Sequence, residues 1–286
     1  MWTEIFGRKK PLIGVIHLPA LPGSPSYRGE PFERILERAL RDLASLEEGG
    51  ADAAILENFG DRPFAKFADK ATVAQMAVIA RELVRNAKIP IGVNVLRSDG
   101  VAALSIAFAS GASFIRVNVF SGVVFTDQGL IEGCAREVLA LRRALGAKVA
   151  ILADVHVKHA FHFGDIADAA RDAARNGADA LIVTGKATGL PPDPADLRAV
   201  KGASHLPVLV GSGITPENVV DFQAADGFIV GTWLKEKGEV EAPVDPGRVR
   251  ALTQAIAHLG LAKAIPEGHG KGGVLSQGHR GEGPGP

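Results

Sequence analysis

The chain has 286 residues, 47% of them apolar and 22% charged, which is enough to bury a full globular core. Lysine plus arginine equals aspartate plus glutamate at 32 each, so no net field draws the chain to nucleic acid or to an anionic membrane surface. The single cysteine, Cys134, excludes an internal disulfide framework and a cysteine-built metal site and fits a packing role in a reducing, cytoplasmic setting.

The opening stretch, MWTEIFGRKKPLIGVIH, has too short an apolar run for a signal peptide, and no later stretch reaches the ~20 apolar residues of a membrane helix. Short apolar runs then recur along the chain. They are LIGVIH (12–17), AAILEN (53–58), IGVNVL (91–96), FIRVNVF (114–120), VAILADVHV (149–157), ALIVTG (180–185), PVLVGSG (207–213) and FIVGT (228–232). Between them lie segments such as FERILERALRDLASLEEGG and IADAARDAARNGA, with apolar residues at helical spacing and glycine near the end. Eight strands alternating with helices over residues 1–263 predict a (β/α)8 TIM barrel. A doubly wound sheet fits less well, because the first strand is not followed by a G-x-G-x-x-G turn.

Connections from helix to strand are tight, as in GGADAAILE and NGADALIVTG, whereas those from strand to helix are long. In a barrel the long connections lie together at the C-terminal ends of the strands, where ligands bind. Residues 264–286 are glycine-rich with few apolar side chains and are predicted to be disordered.

Strand alternation then names the groups that face this mouth. On the fifth strand Asp154, His156 and Lys158 fall at every second position, opposite in parity to Ala153, Val155 and Val157. The same parity turns inward His17, Glu57, Asn94, Arg116, Asn118 and Thr184. Burying so many polar groups is costly unless each is paired. Two readings follow: a ring of structural ion pairs, such as Glu57 with Arg116 and Asp154 with Lys158, or a reactive site. In the second, Asp154 or Glu57 is the base, His156 or His17 the proton shuttle, and Lys158 a cation for a developing oxyanion. A divalent metal on His17, Glu57, Asp154 and His156 is a further alternative, although no close His-x-His spacing argues for it. His159 and His162 fall beyond the strand and are read as surface or lid residues.

The last two strands end in VGSGIT and VGTW. Glycines there let a backbone approach an anion, so Gly211, Ser212, Gly213, Gly231 and Thr232 are predicted to bind a phosphate, aided by a helix starting near Thr215, Pro216 and Glu217. The TGKATG stretch after the sixth strand lacks P-loop spacing.

GVIHLPALPGSP, ENFGDRPF, IGVNVLRSD, FIRVNVFSGVVFTDQG, ADVHVKHA, VTGKATG and VGSGIT together resemble the BtpA/SgcQ family, from about residue 10 to 258. The resemblance implies a TIM barrel of the ribulose-phosphate-binding type and a sugar-phosphate-like ligand. One branch of that family is tied to photosystem I biogenesis at the cytoplasmic face of thylakoids, and another carries a nucleosidase label. The label phosphoribosylanthranilate isomerase has also been attached to such sequences. That isomerase uses a cysteine base at the end of the first strand, where this chain has His17.

Two function classes are therefore expected. One is an enzyme, an isomerase, lyase or nucleosidase-type hydrolase, acting on a small phosphorylated sugar or nucleoside-like molecule. The other is an assembly or regulatory factor with a vestigial ligand site, contacting its partner through residues 123–129 and 63–67. The helix surfaces are apolar enough to permit a homo-oligomer.

Overall fold

A computed structural model describes residues 1–7 and 10–261, so the tail assigned from residue 264 lies outside the described residues. The chain begins with a short helix α1 (Trp2–Phe6) and enters β1 (Leu12–His17), α2 (Phe32–Glu48) and β2 (Ala53–Glu57). It continues through α3 (Lys70–Asn86), β3 (Ile91–Asn94), α4 (Gly100–Ser110) and β4 (Phe114–Val117). A hairpin of β5 (Val123–Thr126) and β6 (Gly129–Glu132) precedes α5 (Ala135–Ala144) and β7 (Ala150–Val155). Then come β8 (Ala160–His162), α6 (Ile166–Arg175), β9 (Ala180–Thr184), α7 (Pro194–Ala203), β10 (Val208–Gly211), β11 (Gly227–Val230) and α8 (Pro246–Leu261).

Each of the eight apolar runs supplies one strand of a closed parallel barrel, in the order β1, β11, β10, β9, β7, β4, β3, β2. The TIM-barrel expectation holds. Alternation sorts the side chains: Ile13, Val15, Ile55, Leu152, Ile182 and Ile229 fill the lumen, while Leu12, Ile16, Leu56 and Val93 pack under the helices. The lumen is stoppered at its N-terminal end by α1, whose Phe6 ring meets Phe114 edge-on at 5.5 Å between centroids. Helix starts follow side-chain chemistry. Asp69, Asp99, Asp165 and Asp193 each accept a hydrogen bond from a backbone N–H in the first turn of α3, α4, α6 and α7. Helix α4 is almost wholly apolar because it is wedged among α3, α5, β3 and β4.

Two segments depart from the sequence reading. The helix expected near Thr215 does not form; only a 3-10 turn, Val219–Phe222, precedes β11. Asn218 explains this. Its side chain accepts from the Thr215 N–H at 2.9 Å and donates to the Gly213 carbonyl at 2.8 Å, closing a tight loop in place of a helical ladder. Secondly, the long connections after β4 and β7 are not irregular. They form a three-stranded antiparallel sheet, β6-β5-β8, whose inner residues Val124 and Ile131 pack with Val119 and Val157. Its other face presents Phe125, paired across the strands with Leu130 and Phe161, all exposed.

Candidate functional site

The strand register aligns His17 with Glu57, Glu57 with Asn94, and Asn94 with Arg116 across β1, β2, β3 and β4. All four are buried in the barrel mouth, together with Asn118 and Asp154. The pairing inside this ring is not the one expected from the sequence. Arg116 donates two hydrogen bonds to Asp154, Nε to Oδ1 and Nη2 to Oδ2, each of 2.9 Å, and Asn118 Nδ2 donates to Asp154 Oδ2 at 2.9 Å. The planar guanidinium fork matches a carboxylate that Lys158 would meet only as a point charge, which is why Arg116 takes it. With both oxygens engaged, Asp154 orients Arg116 and is a poor free base.

Glu57 faces the mouth with no lysine or arginine in ion-pair contact among the described residues. Its Oε1 lies 3.8 Å from His17 Nε2, beyond hydrogen-bond reach. Burial holds the His17 imidazole well below its usual pKa, and the nearby charges of Lys235, Lys158, Arg116 and Arg62 push the same way. The imidazole is therefore neutral at pH 7, and its Nδ1 is buried without a partner among the described residues. The Phe59 ring lies beside it, tilted by 50°, at 4.7 Å between ring centroids. Lys158 is half-buried with no carboxylate in ion-pair contact among the described residues. Burial lowers its pKa, Arg116 lowers it further, and Glu57 and Asp154 oppose the shift. Both side-chain polar atoms of Asn94, and Oδ1 of Asn118, are buried without a partner among the described residues. Such orphans are rare and mark places where a ligand or water is accommodated.

His156 does not join this ring. Strand β7 stops at Val155, and His156 takes a φ of 55°, which breaks the alternation that was to carry it into the mouth. Its ring instead stacks on His162, 4.4 Å away, in a separate pocket beneath the antiparallel sheet. The four-residue metal set fails for this reason and because Asp154 is already occupied. Among the described residues no group of three or more His, Cys, Asp or Glu could hold a metal ion. Thr184 is buried, and its hydroxyl donates to the His156 carbonyl at 3.4 Å.

The loops after β10 and β11 meet the ring in one cleft of about 230 Å³, lined by His17, Glu57, Arg116, Lys158, Ser212, Gly213, Thr215, Gly231 and Thr232. Gly211 ends β10 and does not line it. The N–H groups of Gly213, Thr232 and Trp233 take no partner among the described residues. Ser212 is held at a φ of 73°, a strained conformation for a residue with a side chain. Gly231 is required by contact: a Cβ there would lie 2.5 Å from His17 Cε1. Gly213 is required twice over, by a φ of 63° and by Pro191 N, 2.2 Å from where its Cβ would be.

Sequence reasoning missed three participants. Arg97 is buried in the loop beyond β3, and Thr188 lines the cleft from the loop beyond β9. Neither sits on a strand, so alternation gives no signal for them. The third is a wholly buried ion pair, Lys235 Nζ to Asp42 Oδ2 at 2.8 Å, which pins the segment after β11 to α2. Cys134 packs against the main apolar core, as expected, and burial pushes its thiol up to about 11.

Comparison with known proteins accords with this architecture. A protein of Thermococcus kodakarensis is 53% identical over 253 residues, spanning 88% of this chain and 97% of its own. The photosystem I biogenesis protein BtpA of Synechocystis is 45% identical over 260 residues, spanning 89% of this chain and 90% of its own. Among solved structures, thiamine phosphate pyrophosphorylase from Pyrococcus furiosus superposes with a TM-score of 0.58 at 16% identity, covering 88% of this chain and 98% of its own. Phosphoribosyl anthranilate isomerase from Thermus thermophilus gives 0.54 at 15% identity, covering 86% and 98%. These two establish the fold only. Residues 8–258 match the BtpA family, and the chain belongs to that family.

Proposed function

We propose that the barrel mouth binds a small phosphorylated sugar or nucleoside-like molecule and catalyses proton transfer on it. The observation that carries this reading is the cleft that joins the polar ring to the loops after β10 and β11. Backbone N–H groups of Gly213, Thr232 and Trp233, with the Ser212 and Thr232 hydroxyls, hold the phosphate. Fixed donors suit a dianion because they need no reorganisation on binding. This set has no α-helix behind it at β10, so the loop donors carry the affinity without a helix dipole.

In the reactive part of the cleft, Glu57 is the base and neutral His17 relays the proton. Lys158 and Arg116 stabilise the oxyanion that forms. Isomerisation, aldol-type cleavage and C–N hydrolysis each use such a set. The names of two structural neighbours refer to phosphorylated compounds, which agrees with the ligand class.

The test is thermal unfolding of the full chain with ribose 5-phosphate and with ribose. A ligand at one hundred times its dissociation constant adds about 2.7 kcal/mol, and the phosphorylated sugar alone is expected to do so. Equal responses would contradict the reading.

A second reading, assembly through protein contacts, has its own observation. Phe125, Phe161 and Phe163 are exposed at the antiparallel sheet, and the Phe163 ring, just beyond β8, lies 5.7 Å from that of Phe125 and 5.6 Å from that of Phe161. It gains weight from the name of the Synechocystis relative. Saturable turnover abolished by Glu57→Gln supports the enzyme. Partner capture that survives Glu57→Gln but is lost on Phe161→Ser supports assembly.

A further inference from the structure

A second cleft, of about 430 Å³, opens on the opposite side of the same mouth, beyond β2, β3 and β4. It shares Glu57, Arg116, Lys158 and Thr188 with the first, so the two are compartments of one site. Its charge is lopsided. Arg62, Arg97, Arg116 and Lys158 line it, against Glu57 and Asp127. Arg116 is already matched by Asp154.

Arg97 is the telling residue. It is 5% exposed, yet its guanidinium meets no carboxylate in ion-pair contact among the described residues. Among the described residues its Nη2 donates only to backbone carbonyls, those of Lys158 at 2.6 Å and His159 at 3.5 Å. Burying a guanidinium with no carboxylate in contact is costly, and the charges of Asp154, Asp127 and Glu57 reach it only from a distance. Both hydrogen bonds leave from Nη2, so Nε and Nη1 have no partner among the described residues. Arg62 stands at the rim, fixed over the Phe59 ring at 4.0 Å with Nε donating to the Phe59 carbonyl at 3.2 Å. Its guanidinium too has no carboxylate in ion-pair contact among the described residues.

We infer that the ligand of this mouth carries two anionic groups at its opposite ends. The first lies on the loops after β10 and β11; the second, a carboxylate or a phosphate, lies on Arg97 and Arg62. This rests on the proposed function for the first anion and adds the second. It narrows the substrate class from sugar phosphates in general to bisphosphates and phosphorylated sugar acids. Planar guanidinium groups suit both, since either anion accepts two parallel hydrogen bonds.

The experiment is calorimetric titration of the full chain with ribulose 5-phosphate, ribulose 1,5-bisphosphate and 5-phosphoribonate, repeated on Arg97→Met and Arg62→Gln. The bisphosphate or the phosphorylated acid is expected to bind at least about tenfold tighter than the monophosphate. Which of the two gains identifies the second group. Arg97→Met is expected to remove that gain while leaving the monophosphate affinity within about threefold. Arg62→Gln, on an exposed side chain, is expected to reduce the gain in a protein of unaltered thermal midpoint, so the inference does not depend on Arg97→Met folding. Equal affinities for all three ligands would overturn the second subsite and leave the first intact. Loss of all three affinities alike in Arg97→Met, with no selective change in Arg62→Gln, would make Arg97 a loop brace and also overturn it. Absence of binding by any of the three would remove both subsites.

Discussion

Arg116 holds Asp154 bidentately inside the barrel, and Asn118 adds a third hydrogen bond to the same carboxylate. The pair links β4 to the C-terminal end of β7 and fixes the guanidinium at the floor of the cleft. Removing the charge of one partner leaves the other buried and uncompensated. Asp154→Asn is therefore expected to destabilise the protein by about 3–5 kcal/mol in urea unfolding, and Arg116→Met/Asp154→Leu together by much less. A loss below about 1 kcal/mol for Asp154→Asn would show that the pair does not brace β4 against β7.

His17 gives a pH signature. Its folded pKa is depressed, so below the usual histidine range the unfolded chain binds a proton that the folded chain refuses. Stability contributed by His17 is thus present at neutral pH and lost as pH falls from about 6.5 toward the folded value, at up to about 1.4 kcal/mol per pH unit. His17→Asn is expected to flatten the stability profile between pH 7 and 5. An unchanged slope would mean that His17 is protonated in the folded state.

Lys158 separates stability from function. Burial lowers its pKa, so at neutral pH its charge is a cost to folding, relieved as pH rises from the folded value toward the usual lysine range. Lys158→Met is expected to leave stability unchanged or raise it by about 1 kcal/mol, and to abolish the thermal response to ribose 5-phosphate. Destabilisation with the ligand response intact would assign Lys158 to the scaffold.

The loop after β10 carries strain that a small change should release. Ser212→Gly, at a φ of 73°, is expected to stabilise by about 1 kcal/mol while weakening phosphate binding through loss of the hydroxyl. Gly231→Ala is expected to cost about 1–3 kcal/mol because its Cβ meets the His17 ring, and less in a His17→Ala background. Equal cost in both backgrounds would show that the contact is not what selects glycine.

The barrel and most of its polar ring were legible because both follow from alternation on strands. Ile13, Val15 and His17 share one face of β1, as Ala53, Ile55 and Glu57 do on β2, and both sets point into the lumen. Legibility stops where the strand stops. One residue of positive φ at His156 sends its ring under the antiparallel sheet, and no pattern of apolar spacing announces that turn. The partner of Asp154 was misread because alternation identifies which groups face inward, not which of Arg116 and Lys158 reaches the carboxylate first. Arg97 was invisible for a related reason. Its place in the mouth depends on a loop that packs against the carbonyl of Lys158, 61 positions further on. The missing helix after β10 turns on the side chain of Asn218, which closes the loop locally where the sequence favours a helix start.

The central claim is that an anion sits on the loops after β10 and β11, and an amide-resolved NMR titration of the full chain with inorganic phosphate tests it most directly. Saturable shifts are expected at the N–H groups of Gly213, Thr232 and Trp233, with small effects at α1 and at the N-terminal ends of the strands, and Thr232→Val should weaken the response. Shifts confined to other surfaces, or none at these three amides at phosphate concentrations that saturate the protein elsewhere, would contradict the account.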